Sequence, residues 1–310
     1  MKNVLEWLEA TVEKYPDKPA FSDTESGITF RQVYDIARNT GAYLIEQLGV
    51  DRTPVAVFAG RKMVTPAYFL GVVYAGRPYA PIDASLPDKR IEKILENLCP
   101  RAIVADRESR EHVESIVDEL EKSEGFDRPQ IFIAEDISRF EQVACADSNC
   151  KISESAGDAV SDSENDTDGG VVASCAGKTD DSSRDMLAVV RRQMPMTDPL
   201  YIIYTSGSTG NPKGVMTSHL SLMTYINAYC DVMHIEESDV LGNQSPLDYI
   251  AAIRDIYLPL KTGCSTAIIP KEYFMEPNAL FDYMNDKKVS SVGWSVSAFT
   301  ILTSLGAFEE

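Results

Sequence analysis

The sequence predicts an α/β fold of mostly parallel sheets flanked by helices. Short apolar, β-branched runs recur at 55–59, 79–83, 102–105 and 130–134. Segments with helical apolar spacing lie between them. Strands separated by helices are joined by crossovers, and crossovers build parallel sheets. Such sheets place ligands at the carboxyl ends of their strands.

Each element has a local reason. Leu5, Leu8 and Val12 recur on one face of a segment that also carries Glu6, Glu9 and Glu13, which predicts an amphipathic helix ending before Pro16. Residues 20–22 and 27–29 predict a short hairpin. Thr29 stands three residues before Gln32, a capping-box pattern for a helix that stops at Gly49. Residues 55–59 read as a buried strand ending at Gly60. Residues 63–75 predict an apolar helix with Pro66 in its first turn, where a missing N–H is harmless. After the strand at 79–83, Ser85 is expected to cap a helix with Pro87 at its start. Strands at 102–105 and 130–134 follow.

The composition narrows the function. With 44% hydrophobic residues the chain can build a real core. A net charge of -19 argues against nucleic acid as a partner. No apolar run reaches membrane-spanning length, and the N-terminus lacks an apolar signal region, so a cytoplasmic location is expected. Cys99, Cys145, Cys150, Cys175, Cys230 and Cys264 form no Cys-x-x-Cys pair, which predicts free thiols rather than zinc ligands or a disulfide framework. Twelve of the 48 acidic residues sit in residues 136–197, where Asp and Glu are set among Ser, Gly, Ala and Thr. Such a stretch buries too little apolar surface to offset its ordering entropy, which predicts a disordered insertion or linker. It separates a first α/β subdomain, 1–135, from a second, 198–310.

Residues 198–215 carry the chemistry. A buried strand at 200–204 runs straight into Thr205, Ser206, Gly207, Ser208, Thr209 and Gly210, followed by Lys213 and Gly214. Glycines let the backbone N–H groups approach an anion, hydroxyls add donors, and lysine adds a mobile charge. The pattern suits a polyphosphate but not the Walker spacing, which joins Gly, Lys and Ser or Thr. Downstream, Ser218 predicts the cap of a helix over 219–233, placing a positive helix end near the phosphates. His219 is a minor site candidate, with a capping or packing role as its alternative.

Residues 204–214 closely resemble the phosphate loop of the adenylate-forming enzymes, which include acyl-CoA synthetases, luciferases and amino-acid adenylation domains. Residues 28–33 and 74–90 resemble the first and second core motifs of that superfamily. The nearest likeness is to the D-alanine-activating, carrier-protein-loading branch and its amino-acid-activating relatives. The resemblance implies ATP with Mg2+, a small carboxylic or amino acid, and transfer of the acyl group to a carrier-protein phosphopantetheine or coenzyme A thiol. It implies that Thr205, Ser206, Ser208, Thr209 and Lys213 grip the β and γ phosphates, while Gly207, Gly210 and Gly214 permit the loop's shape.

Residues 243–270 resemble the family's substrate region. With Asp255-Ile256-Tyr257 as anchor, Tyr249 and Ile250 fall on the aromatic-Asp pair that holds a substrate ammonium in amino-acid-activating members. Ile250 replaces the acid, and Asp248 lies two residues earlier. Either Asp248 takes the ammonium, or the substrate has no α-amino group there; an unpartnered buried cation is costly. Trp294 is expected to line the acyl pocket or to fill the core. The resemblance covers the front part of the family's large N-terminal domain, and the chain is expected to be truncated. The adenine-stacking segment with its metal-binding Glu, the ribose-holding Asp and the lid with its catalytic Lys fall outside these 310 residues, so no catalytic residue is assigned within them. A catalytically incomplete remnant that binds a partner is the competing expectation.

Overall fold

The computed structural model describes residues 2–123, 125–137, 181–206 and 211–308. Helix α1 (Leu5–Lys14) buries Leu5, Trp7, Leu8 and Val12. Strands β1 (Pro19–Ser22) and β2 (Gly27–Thr29) form the expected antiparallel pair. Helix α2 (Phe30–Leu48) opens with the predicted capping box. The Gln32 N–H donates to Thr29 Oγ1 at 3.2 Å, and the Thr29 N–H donates to Gln32 Oε1 at 2.9 Å.

Strands β3 (Val55–Phe58), β4 (Tyr79–Ile82), β5 (Ala102–Ala105) and β6 (Gln130–Ile133) follow. Helices α3 (Thr65–Tyr74), α4 (Asp88–Leu98) and α5 (Arg110–Leu120) alternate with them. Residues of β3 alternate between two cores, Val55 and Val57 on one side and Ala56 and Phe58 on the other. This sheet is therefore covered on both faces, as a parallel sheet requires. Ser85 does not cap α4. Its N–H donates to Asp83 Oδ1 at 2.8 Å in a turn before the helix, and Pro87 stands at the cap without a side-chain bond.

Later in the chain come helix α6 (Asp181–Gln193), the hairpin β7 (Pro199–Ser206) and β8 (Pro212–Ser218), and helix α7 (His219–Met233). Strand β9 (Val240–Asn243), helix α8 (Ile250–Thr262) and strand β10 (Ser265–Ile268) form the next unit. Helix α9 (Pro277–Asp286), strand β11 (Ser291–Val292) and helix α10 (Val296–Ser304) complete it. Among the described residues no helix is long and apolar enough to cross a membrane.

The strands form two sheets, one of order β6-β5-β3-β4-β7-β8 and one of order β11-β9-β10-β1-β2. Each is parallel except for one antiparallel strand at an edge, β8 or β2. The sheets do not follow the division at 1–135 and 198–310. The first hairpin joins the second sheet through β1 and β10, and β7 joins the first through β4. Helix α8 lies between them; its Tyr257 hydroxyl is 3.1 Å from that of Tyr79 on β4.

The expectation of a disordered insertion needs a second correction. Residues 138–180 lie outside the described ones, but 181–193 form a helix packed on the core. Leu187 and Val190 on it and Met194 just after it are buried, and the Arg191 Nε–H donates to Glu9 Oε1 at 2.7 Å. The acidic, serine-rich composition concealed this short i, i+3, i+7 apolar stripe.

Arg77 is the one arginine whose side chain is fully buried among the described ion pairs. Its guanidinium pairs with Asp51 and donates to Thr53 O at 3.1 Å, Leu48 O at 3.3 Å and Gly49 O at 3.1 Å. It thus closes the carboxyl end of α2 and ties it to the chain entering β3.

Candidate functional site

The two sheets meet at the carboxyl ends of their parallel strands. Arg61, just beyond β3, reaches across to the second sheet and donates to Asn243 O and Ile269 O, each at 2.6 Å, and to Ser245 O at 3.2 Å. Burial lowers the pKa of this guanidinium to about 10, so it remains charged at neutral pH. Asp83, at the end of β4, pairs with Lys271 beyond β10 at 3.6 Å. Asp106, at the end of β5, accepts from the Gly60 N–H at 2.9 Å and pairs with Lys62 at 3.2 Å. These contacts line a junction of strand ends, where open α/β sheets place their ligands.

The residues singled out at 205–214 lie at the tip of the β7–β8 hairpin. Thr205 stands opposite Lys213, and Ser206 opposite Pro212. Thr205, Ser206 and Lys213 are exposed. Gly207, Ser208, Thr209 and Gly210 lie outside the described residues. Among those described, no carboxylate pairs with the Lys213 ammonium. Gly214 has a packing reason: an added Cβ would lie 2.9 Å from Ile202 Cγ2 and 3.1 Å from the Tyr204 ring. The Tyr204 hydroxyl donates to Asn97 Oδ1 at 2.9 Å, fixing the hairpin to α4. Strand β8 was missing from the sequence reading because Val215 and Met216 are exposed, so its pattern lacks a buried face.

The hairpin also corrects the expectation about α7. Ser218 does cap that helix, accepting from the Ser221 N–H at 3.2 Å. However, Ser218 pairs with Pro199 at the far end of the hairpin. A strand of that length carries the helix N-terminus roughly 20 Å from the tip. His219 moves away with it. It is 1% exposed, and its Nδ1 accepts from the Val4 N–H at 3.4 Å. It therefore fixes the start of α1 and is not part of the site.

Burial lowers the His219 pKa to about 4. The unfolded chain, with an ordinary imidazole near 6.5, takes up its proton first as pH falls. Stability present at pH 7 is therefore lost as pH falls from about 6.5 towards 4, by about 3 kcal/mol from this residue. Urea unfolding of the wild type and of His219→Gln across that range checks this. An equal fall with pH in both proteins would refute it.

The substrate-region candidates divide. Asp248 is half-buried in a narrow crevice with Arg61, Asp83 and Leu247, and burial together with the Asp83 charge raises its pKa. Tyr249 and Ile250 are 56% and 52% exposed at the start of α8. The Trp294 indole N–H donates to Gly242 O at 3.1 Å, and its ring packs on Phe274 and Phe299. It joins a small core at the rim of the second sheet.

Sequence reasoning missed a polar group in this junction. Buried Asp255 accepts from the Arg254 Nε–H at 2.7 Å and from the Asn243 Nδ2–H at 3.0 Å. The Arg61 Nη2–H also donates to Asn243 Oδ1 at 2.9 Å. A signal for Arg61 was available: a cation directly after the strand that ends at Gly60 occupies a ligand-facing strand end.

Two parallel sheets joined at their strand ends, with a hydroxyl-rich hairpin beside them, form the architecture of the N-terminal domain of adenylate-forming enzymes. The solved N-terminal domain of FACL13 from Mycobacterium tuberculosis matches all of this chain and 67% of its own, with TM-score 0.70 and 17% identity. A four-domain nonribosomal peptide synthetase solved with AMP and glycine matches 97% of this chain and 18% of its own, with TM-score 0.69 and 19% identity. The chain belongs to the AMP-binding enzyme family, whose model matches residues 8–310. Among curated relatives, the D-alanine--D-alanyl carrier protein ligase of Bacillus velezensis is 24% identical over 93% of this chain and 46% of its own length. The ligase of the same name from Bacillus cereus is 26% identical over 90% and 45%. The chain thus spans somewhat under half the length of these relatives.

Proposed function

We propose that this chain is the part of an AMP-forming ligase that grips the triphosphate and begins the acyl pocket. The reaction joins a small carboxylic or amino acid to the α phosphate of ATP, releases pyrophosphate, and passes the acyl group to a thiol. A carrier-protein phosphopantetheine is the favoured acceptor, because the curated relatives described above are carrier protein ligases, with coenzyme A as the other acceptor. One observation carries the reading: Thr205, Ser206 and exposed Lys213 stand at a hairpin tip on the carboxyl side of a parallel sheet.

Chemistry of this kind depends on positioning and on stabilising charge. In this reading Thr205, Ser206, Ser208, Thr209 and Lys213 hold the β and γ phosphates as pyrophosphate leaves, with Gly207, Gly210 and Gly214 shaping the loop. Asp248, Tyr249, Ile250 and Trp294 belong to the acid's side of the junction. Mg2+ enters with the nucleotide; among the described residues no cluster of carboxylates, thiols or imidazoles is arranged to hold a metal ion. ATP–pyrophosphate exchange by the full-length protein across a panel of small acids tests the reading. Exchange that depends on one acid class and on Mg2+ is expected, and absence of exchange with every acid would overturn it.

A further inference from the structure

The Arg254 guanidinium occupies a place that only glycine leaves open. An ideal Cβ on Gly293 would fall 1.7 Å from Arg254 Nη1. Gly293 directly follows β11, and Arg254 lies on the helix between β9 and β10, so the cation sits at the carboxyl ends of the second sheet. Its Nε–H donates to Asp255, its Nη2–H donates to Gly293 O at 3.2 Å, and one face lies over the Tyr229 ring at 5.5 Å.

A guanidinium has five N–H donors. Two are used, and three have no partner among the described residues. The side chain is 12% exposed, so these donors open on a narrow strip of surface. Asp255 engages Arg254 through its Nε edge at 2.7 Å, so among the described residues the Nη edge faces no carboxylate. One turn before Arg254, on the same helix face, stands exposed Ile250, which offers an apolar surface. Trp294 beside Gly293 offers a second.

Resting on the adenylation reading above, we infer that the activated acid carries a second carboxylate, which docks on the free edge of Arg254 over Gly293. The hydrocarbon between its two carboxylates lies along Ile250 and Trp294, and the other carboxylate is the one adenylated. Arg254 is then the residue that sets the substrate class: a short dicarboxylic acid, in preference to a monocarboxylate. A paired, charge-assisted contact to a largely buried side chain gives discrimination of roughly tenfold or more.

Calorimetric titration of the protein with succinate, glutarate and butyrate tests this without ATP. The dicarboxylates are expected to bind roughly tenfold or more tightly than butyrate. Arg254→Met is expected to erase the difference, and Arg254→Lys to keep part of it. Because Arg254→Met leaves Asp255 without its cation, Gly293→Ala serves as a second variant; its methyl displaces the guanidinium and is expected to weaken succinate alone. Butyrate binding as tightly as succinate to the wild type would overturn the inference. ATP–pyrophosphate exchange with the same acids separates the two claims. Exchange with monocarboxylates, or with amino acids that carry a single carboxylate, equal to that with dicarboxylates sinks the Arg254 assignment and leaves the ligase reading intact. Succinate binding that needs Arg254, without exchange on any acid, sinks the ligase reading instead.

Discussion

Lys213→Ala in the full-length protein is expected to cut acid-dependent ATP–pyrophosphate exchange by about 100-fold or more while leaving the urea midpoint unchanged. The two halves of this expectation have separate causes. The ammonium is exposed and has no carboxylate partner among the described residues, so its loss costs the fold almost nothing. Its backbone position is fixed by pairing with Thr205, so the charge is delivered to one end of the sheet on every molecule. On the proposed adenylation reading, a charge held near the leaving pyrophosphate acts most strongly where charge builds up in the transition state. Lys213→Arg keeps the charge but changes its shape and reach, and partial activity is expected. Exchange undiminished in Lys213→Ala would remove the hairpin from the mechanism.

Arg77→Ala is expected to destabilise the fold by about 4 kcal/mol without altering any residue of the candidate site. The side chain is fully buried, and its removal leaves the Leu48 and Gly49 carbonyls at the end of α2 without their donor. It also leaves a void between α2 and β3. Asp51 suffers less, being partly exposed and held by Arg101 at 3.0 Å as well. Arg77→Lys keeps the charge but cannot bridge four acceptors with a planar fork, so about half of the loss is expected to remain. Urea unfolding of the three proteins gives the ranking; equal midpoints would show that the carbonyls find other donors.

Local rules in the sequence carried much of this fold. The Thr29–Gln32 capping box, the strands at β3 to β6 and the strand leading to Thr205 follow from propensity and spacing within a few residues. Pairing did not follow, because no local pattern states that Phe21 on β1 aligns with Thr266 on β10. The same limit applies to the site. The hairpin tip is one continuous run and was legible. The group of Arg61, Asn243, Arg254 and Asp255 comes from separate stretches whose meeting depends on the sheets. His219 shows the reverse error: adjacency in sequence to the loop suggested a role, yet the length of β8 carries it away.

The exchange of strands between the two sheets has a consequence for how the chain is made. Phe21 reaches its partner Thr266 only after nearly the whole chain exists. At the usual pace of synthesis, about 5–20 residues per second, the N-terminal hairpin waits roughly 10–50 s for β10. The first sheet waits likewise for β7. Pairings this distant in sequence slow folding and leave strand edges open meanwhile. Cutting the gene anywhere between β6 and β7 would yield two pieces, each with an unfinished sheet.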